Sequence, residues 1–529
     1  MLILTERGAA IFQWIVCLAA AAFVGTYLFI AVHRLAYPFD LEWLEGAMVS
    51  HVWQLLAGKP IYSTPTLDFT PFLYPPLFYL ASALVAKMVG IGFLPLRLVS
   101  LVSSIVVFRL VYRLVERDTG SRYSGAVALG MFAATYRLSG AWLDLARNDS
   151  LFLALLLAGV YLLRFRESRA GWAAAGALLA LSVLTKQTAA FISVPLFLYA
   201  AIVDWRRGVL LVLAFGGLLT GVIASYHLRD HGWFLYYVVW LPHQIQMTAA
   251  DPAPFWSRDI LAPLPIASAL SLAALLAARP RRARDAFWPL VGLGCLVAAW
   301  ISRLHVGASE NVLIPAHVGL ALLTGLASRR LPDLATAGWR PLVGLAVAVM
   351  CIVQLAVLRY PVRAQIPTGH DRALAHELGV KIAEAGGEVF VPFHAFVPTP
   401  AGPVMHAHAW ALFDVLRAGG SARSARLQGQ IDHALNHGKY RMIVFDRVDK
   451  WMEPALSGGY RREGHALRNN EVRTRTSYIT SPRWIFVPKS PRAVRRPATR
   501  AERARPGRAR PASRPTPYNR AEQIAREIR

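Results

Sequence analysis

Apolar runs of spanning length recur from the N-terminus to about residue 358, separated by short polar loops. A helix needs roughly 20 apolar residues to cross the hydrocarbon layer. The runs predict helices near residues 10–32, 97–115, 122–140, 150–164, 171–186, 188–203, 209–226, 259–277, 286–302, 311–328 and 339–358. Segment 72–91 is nearly long enough as well, and its Pro75 and Pro76 suit a first helical turn. Residues 360–489 hold no spanning run. They carry helix-like stretches at 371–385 and 408–416 and short β-like runs at 388–392 and 440–445. From 490 to 529 Arg, Pro and Ala dominate, a composition too poor in large apolar residues to offset the cost of ordering. The pattern predicts a mainly α polytopic transmembrane bundle of about eleven spans over 1–359. A small α/β domain over 360–489 and a disordered Arg/Pro-rich tail over 490–529 follow.

Charge orients this arrangement. The loops at 113–122, 164–169, 206–207, 279–284 and 329–340 are rich in arginine; the alternate loops at 40–68, 142–149, 186–187, 227–259 and 305–311 are not. Lys and Arg collect in cytoplasmic loops, so the N-terminus is expected inside and the second set of loops outside. If segment 72–91 crossed, the arginines at 113–122 would fall outside. The rule therefore leaves it on the outer side, juxtamembrane or re-entrant, with the domain after residue 358 also outside.

The formal charge of +26 comes from 57 Lys and Arg against 31 Asp and Glu. These bases are scattered over short loops rather than gathered on one face, so they read as topogenic, and no nucleic-acid partner is expected. The run at 9–32 exceeds the apolar core of a signal peptide and is expected to stay as the first span. Cys17, Cys295 and Cys351 lie far apart in apolar segments, without disulfide or metal-ligand spacing.

Candidate chemistry concentrates in the polar loops of the second set. Residues 37–79 place Asp40, Glu42 and Glu45 within six positions, then Asp68, then an aromatic-proline block from Tyr74 to Tyr79. Acids are costly inside a bilayer, so this loop must sit where they meet water or a polar ligand. Asp40 fits a general base and equally an N-cap for a helix starting at Leu41. Glu42 and Glu45 share one helix face and fit a site or a wet surface. In WLDLARND, Arg147 offers a planar fork suited to phosphate, and Asp149 fits an acidic site or a cap. Lys186, with Thr185 and Gln187, separates two apolar runs and fits a phosphate ligand or a snorkelling turn. The HVGASEN loop, with Arg303 and His317, fits a sugar or head-group contact or a plain turn. His394, His406, His408 and Asp414 complete no recognisable metal set. The basic tail fits contact with anionic lipid or glycan, or a solvated end.

The order of these features resembles the polytopic C-type (GT-C) glycosyltransferases. It runs from the acid pair Asp40/Glu42 after the first helix, through the block at 74–79 and a helix opened by Arg97, to Arg147/Asp149 and Thr185/Lys186. The resemblance covers about residues 11–201. It is nearest to the bacterial branch similar to the protein O-mannosyltransferases and lipid A aminoarabinose transferases. It implies inverting transfer of a sugar from a polyprenyl-phosphate carrier to a lipid, glycan or protein acceptor, outside the bacterial inner membrane. By that resemblance Asp40 or Glu42 is the base; many relatives have adjacent Asp-Glu, whereas Leu41 intervenes here. Arg147 and Lys186 would hold the phosphate, the block from Tyr74 to Tyr79 would line the lipid groove, and Glu45, Asp149 and Gln187 would complete the substrate site. Relatives differ in using a divalent metal, so Mg or Mn stays open. Two rival classes remain. A secondary transporter should show Gly/Pro-broken repeats in matching halves, and none is seen. A non-enzymatic membrane subunit would leave the charges of the first 200 residues without a purpose.

Overall fold

The computed structural model describes residues 2–245, 253–277, 282–418, 421–449, 451–467 and 472–489; the tail expected over 490–529 and part of the loop at 279–284 lie outside the described residues. The chain forms two units. The first comprises Met1–Tyr62, Leu73–Thr368 and Arg475–Ile479; the second comprises Ser63–Phe72, Gly369–Thr474 and the described chain from Thr480.

Unit 1 is helical. Its elements are α1 (Leu2–Leu35), α2 (Glu45–Leu56), α3 (Leu77–Val89), α4 (Phe93–Thr119), α5 (Arg122–Ala134), α6 (Asp149–Phe165), α7 (Arg169–Val183) and α8 (Ala189–Val203). The chain continues through α9 (Trp205–Asp230), the short α10 (Trp233–Leu235) and α11 (Leu241–Gln244), α12 (Pro265–Ala277), α13 (Phe287–Arg303), α14 (Ile314–Leu334) and α15 (Arg340–Val357). Among the described residues six helices are long and apolar enough to cross a membrane, or seven if the bent pair at 255–277 counts as one span. The chain is a multi-pass membrane protein. The expected count of about eleven is not reached on length, because α5, α6, α7 and α8 have 13, 17, 15 and 15 residues. At 1.5 Å per residue these rise about 20–26 Å, short of the ~30 Å hydrocarbon layer. The expected helix at 259–277 is bent by 101° between Leu261 and Pro265. Pro263 and Pro265 account for the break, since proline removes a helical N–H and clashes with the preceding turn. Segment 72–91 folds as the 13-residue α3.

Helix α14 is the axis of the unit: 94% of its apolar window is buried, against 11% for α9. It packs on α4, α5, α12, α13 and α15, while α9 keeps Trp205, Leu213 and Leu228 exposed as lipid-facing surface. Helix α4 ends at Gly120, whose left-handed φ of +67° lets the chain reverse into α5 without strain.

Unit 2 is α/β. Its helices are α16 (Gly369–Glu384), α17 (Ala409–Arg417), α18 (Ala422–Asn436) and α19 (Glu453–Gly459). Its strands are β1 (Val389–Phe390), β2 (Phe396–Val397), β3 (Val404–Met405), β4 (Met442–Phe445), β5 (Tyr460–His465) and β6 (Trp484–Pro488). They form a four-stranded sheet, β1-β4-β6-β5, in which β1 and β4 run parallel, and a separate β2–β3 pair. Ser63–Phe72 belongs here, so Asp68 leaves the acidic loop and pairs with Lys439 at 3.1 Å.

Candidate active site

The loops after α1, α5, α7 and α13 meet at one end of unit 1. The loop at 36–44 has no regular backbone pairing, so its shape must come from other bonds. Arg97, fully buried in the first turns of α4, supplies two: its guanidinium donates to the carbonyls of Tyr37 and Phe39, and also to that of Arg34 at the end of α1. The same guanidinium meets Glu45 with Nε at 3.0 Å and Nη2 at 2.7 Å. Glu45 also accepts from the N–H groups of Leu41, Glu42 and Ala146. Burial works against its charge, but Arg97 and these donors outweigh it and hold the carboxyl below its ordinary range. Both oxygens are thus committed inside the protein, and Glu45 is a hub of the loop rather than a free substrate ligand.

Asp40 does not cap a helix starting at Leu41, because α2 begins at Glu45. Its Oδ1 instead accepts the Gly46 N–H at 2.7 Å, at the positive end of α2, and the side chain is fully buried. Glu42 lies beside it, with Oε2 3.6 Å from Arg147 Nη1 and Oε1 buried without a hydrogen-bond partner. Burial pushes the Glu42 carboxyl up to about 8; Arg147 pulls the other way, and Glu45 and Asp40 add to the rise.

Arg147 is 2% exposed. Its Nη2 donates to the Tyr74 hydroxyl at 2.7 Å and the guanidinium lies 5.2 Å from that ring's centre, while Nε and Nη1 have no hydrogen-bond partner. Burial opposes its charge, but Tyr74, Glu42 and Asp149 more than compensate and its proton is held more tightly than usual. Asp149 opens α6, and its Oδ1 accepts from Lys186 Nζ at 2.5 Å and Asn311 Nδ2 at 3.1 Å; its Oδ2 is buried and unpartnered. Asn148 ties the loop to the next by donating to the Thr185 carbonyl at 2.8 Å, leaving Oδ1 open. Gln187 donates to the carbonyls of Leu73 and Val238, fixing the start of the Tyr74 block. A buried polar atom without a partner is uncommon in a folded protein and calls for an explanation, such as a ligand or water. Here four such residues adjoin: Glu42, Arg147, Asn148 and Asp149.

The sequence-derived residues therefore gather in unit 1, acids and cations together. Arg34 went unassigned, and Asn148 and Asn311 were read only as members of their loops. Arg34 had a signal: a lone arginine in the last turn of an apolar helix needs a partner, and it finds Asp144 at 3.2 Å and the Tyr136 hydroxyl. Arg303 pairs with Asp259 at 2.8 Å and His317 with Ser139 at 2.8 Å. The histidines of unit 2 form no common set. His408 accepts the Trp410 N–H at the start of α17, His394 meets Asp446 at 3.1 Å, and Asp414 meets Arg417 at 2.5 Å. Among the described residues no group of three or more His, Cys, Asp or Glu side chains is placed to hold a metal ion.

Residues 74–227 match the family described as dolichyl-phosphate-mannose-protein mannosyltransferase. The fold is similar to that of ArnT from Cupriavidus metallidurans in the apo state, with a TM-score of 0.56 and 15% identity over 88% of this chain and 97% of that one. The same protein bound to undecaprenyl phosphate gives 0.55 and 14% over the same shares. The apo oligosaccharyltransferase of Archaeoglobus fulgidus gives 0.50 and 9%, over 80% of this chain and 69% of that one. At such identities the likeness is one of fold. No curated protein sequence matches the chain significantly.

Proposed function

We propose that this chain, a polytopic membrane glycosyltransferase of the C-type fold related to the protein mannosyltransferases, moves a sugar from a polyprenyl-phosphate carrier to an acceptor with inversion. The observation that carries the reading is the Arg147 guanidinium, buried, with Nε and Nη1 open, beside a pair of acids. A buried cationic fork with open donors is suited to a phosphate. The match to the mannosyltransferase model includes this arginine, and a fold neighbour is known with undecaprenyl phosphate bound.

The chemistry divides between the two sides of the anomeric carbon. An acceptor hydroxyl or amine attacks C1 while Asp40 takes its proton. The bond from C1 to the phosphate oxygen breaks, and the electron pair leaves on polyprenyl phosphate, held by Arg147 with Lys186 behind it. Asp40 is taken as the base because its carboxylate sits at the start of α2, oriented by the Gly46 N–H. Glu42, pushed up to about 8, is protonated at neutral pH and serves as a hydrogen-bond donor towards the phosphate. On this reading Asp40, rather than Glu42, is the base. Glu45 supports this geometry from within, and Tyr74 and Gln187 shape the entry of the carrier. The outer-face placement follows the charge alternation of the loops, and the bacterial inner membrane is what the family resemblance implies.

The test uses the full chain in lipid nanodiscs, a panel of polyprenyl-phosphate sugars and membrane extract as acceptor. Asp40→Asn should lower turnover by about 10³-fold while leaving donor binding intact. Wild-type turnover in that variant would remove Asp40 from the mechanism.

A further inference from the structure

Five residues, Arg475–Ile479, pack as part of unit 1, although the chain before them to Thr474 and after them from Thr480 belongs to unit 2. The excursion is closed at its neck. The Thr474 N–H donates to the Thr480 carbonyl at 3.1 Å and the Thr480 N–H to Thr474 Oγ1 at 2.9 Å. At its tip Ser477 takes a φ of +62°, a left-handed conformation uncommon for any residue but glycine.

Four contacts of these residues fall on loops that build the site. The Arg475 N–H donates to the Leu41 carbonyl at 2.7 Å, on the residue that separates Asp40 from Glu42. Tyr478 lies against Trp43, ring centres 5.2 Å apart, on the other side of Glu42. The Thr476 hydroxyl donates to the Gly140 carbonyl, in the loop that goes on to carry Arg147. Ser477 meets Ser309 at 2.8 Å, two residues before the Asn311 that bonds Asp149. Gly140 itself has φ +72°, which glycine adopts without strain, and a Cβ there would crowd Trp142 at 3.2 Å, Thr476 Oγ1 at 3.3 Å and Glu310 at 3.4 Å.

The loop at 36–44 is irregular, and its backbone groups are held one at a time. Arg97 takes the carbonyls of Tyr37 and Phe39, Glu45 takes the N–H groups of Leu41 and Glu42, and Arg475 takes the carbonyl of Leu41. The first two anchors come from α2 and α4. Glu45 reaches the arginine loop as well, through the Ala146 N–H. The third anchor comes from the strap alone and adds a separate tie to that loop, through Thr476 and Gly140.

We infer that residues 475–479 are a positioning strap, which fixes the acid loop relative to the Arg147 loop so that base and phosphate ligand keep their separation. The strap touches no reacting atom. The inference rests on the transferase reading for its purpose, but not for its test. A misplacement of about 1 Å in such a site costs on the order of 10²-fold in rate. Loosening the strap should therefore show in kcat far more than in donor affinity.

The variant Arg475→Pro removes the N–H bonded to Leu41, and Thr476→Val removes the hydroxyl bonded to Gly140. In the full-length protein in nanodiscs, each should raise hydrogen exchange of the amides at 41–46. Each should also lower kcat by about 10- to 100-fold with donor KM within about threefold. Thr476→Ser, which keeps the hydroxyl, should restore both readouts. If Arg475→Pro fails to fold, the Thr476 pair still decides. Unchanged exchange at 41–46 overturns the strap, and so does a loss of kcat that Thr476→Ser does not rescue. Raised exchange in a protein whose wild type transfers no polyprenyl-phosphate sugar upholds the strap and sinks the transferase reading instead.

Discussion

Helix α4 carries a charged cluster at each end, roughly 30 Å apart at 1.5 Å rise per residue, and the two are built on different rules. At one end Asp118 is saturated. Its Oδ1 meets Arg164 at 2.6 Å, and its Oδ2 meets Trp288 Nε1 at 2.8 Å and Arg330 at 3.4 Å. The arginines there remain partly exposed, at 21% and 30%. At the other end Arg97 and Glu45 are equally well satisfied, but their neighbours Glu42, Arg147, Asn148 and Asp149 keep buried donors and acceptors open. A clamp closes its valences within the protein. A site prepared for a charged ligand leaves them open and bears the cost until the ligand arrives.

Three substitutions sharpen that contrast. The largest effect is expected for Arg147→Ala, which removes the open fork. kcat/KM for a polyprenyl-phosphate donor should fall by about 10²- to 10³-fold, with thermal stability little changed. Equal loss of stability and activity would place Arg147 among the clamps. Next, Asp118→Asn breaks a clamp without touching the site. It should reduce unfolding stability by about 1–3 kcal/mol in detergent while turnover at saturating donor stays within about twofold. A selective fall in turnover would show that the far cluster serves the reaction.

The smallest effect concerns Glu42 and depends on pH. Its folded carboxyl sits near 8 and its unfolded one near the ordinary glutamate value of about 4.3, so the folded protein holds an extra proton between them. Stability from this group therefore falls as pH rises through that window and levels off above about pH 8. Glu42→Gln cannot ionise, so its melting temperature should draw ahead of the wild type as pH rises from 5 to 9. Parallel melting curves across that range would show that the carboxyl is not shifted. The same ionisation should give wild-type turnover an alkaline limb near pH 8 that the variant lacks.

Long apolar runs were legible because they state their burial locally, and α1, α4, α9, α13 and α15 lie close to where hydropathy places them. The charged candidates were legible as types, since an arginine or acid beside an apolar helix must be accounted for. Their partners were not. Glu45 reads as one of three similar acids, and what sets it apart is Arg97, 52 residues away, and the Ala146 N–H, 101 away. Asp68 reads as part of the same loop, yet pairs with Lys439 across 371 residues. Helix ends were misread where proline or a polar turn cut them short, as at Pro263 and at Lys186. The strap had no signal at all, because Arg475 and Thr476 act through a backbone amide and a hydroxyl that any loop offers.

The reach of Glu45 sets a timetable for making the protein. The stretch bearing Asp40 leaves the ribosome early, yet the guanidinium and the amide that give it shape are synthesised later, at positions 97 and 146. Until then the nascent acids have nothing to lean on and must wait in water at the edge of the bilayer. A chain stalled before residue 146 would hold its first helix in the membrane and still lack a finished pocket.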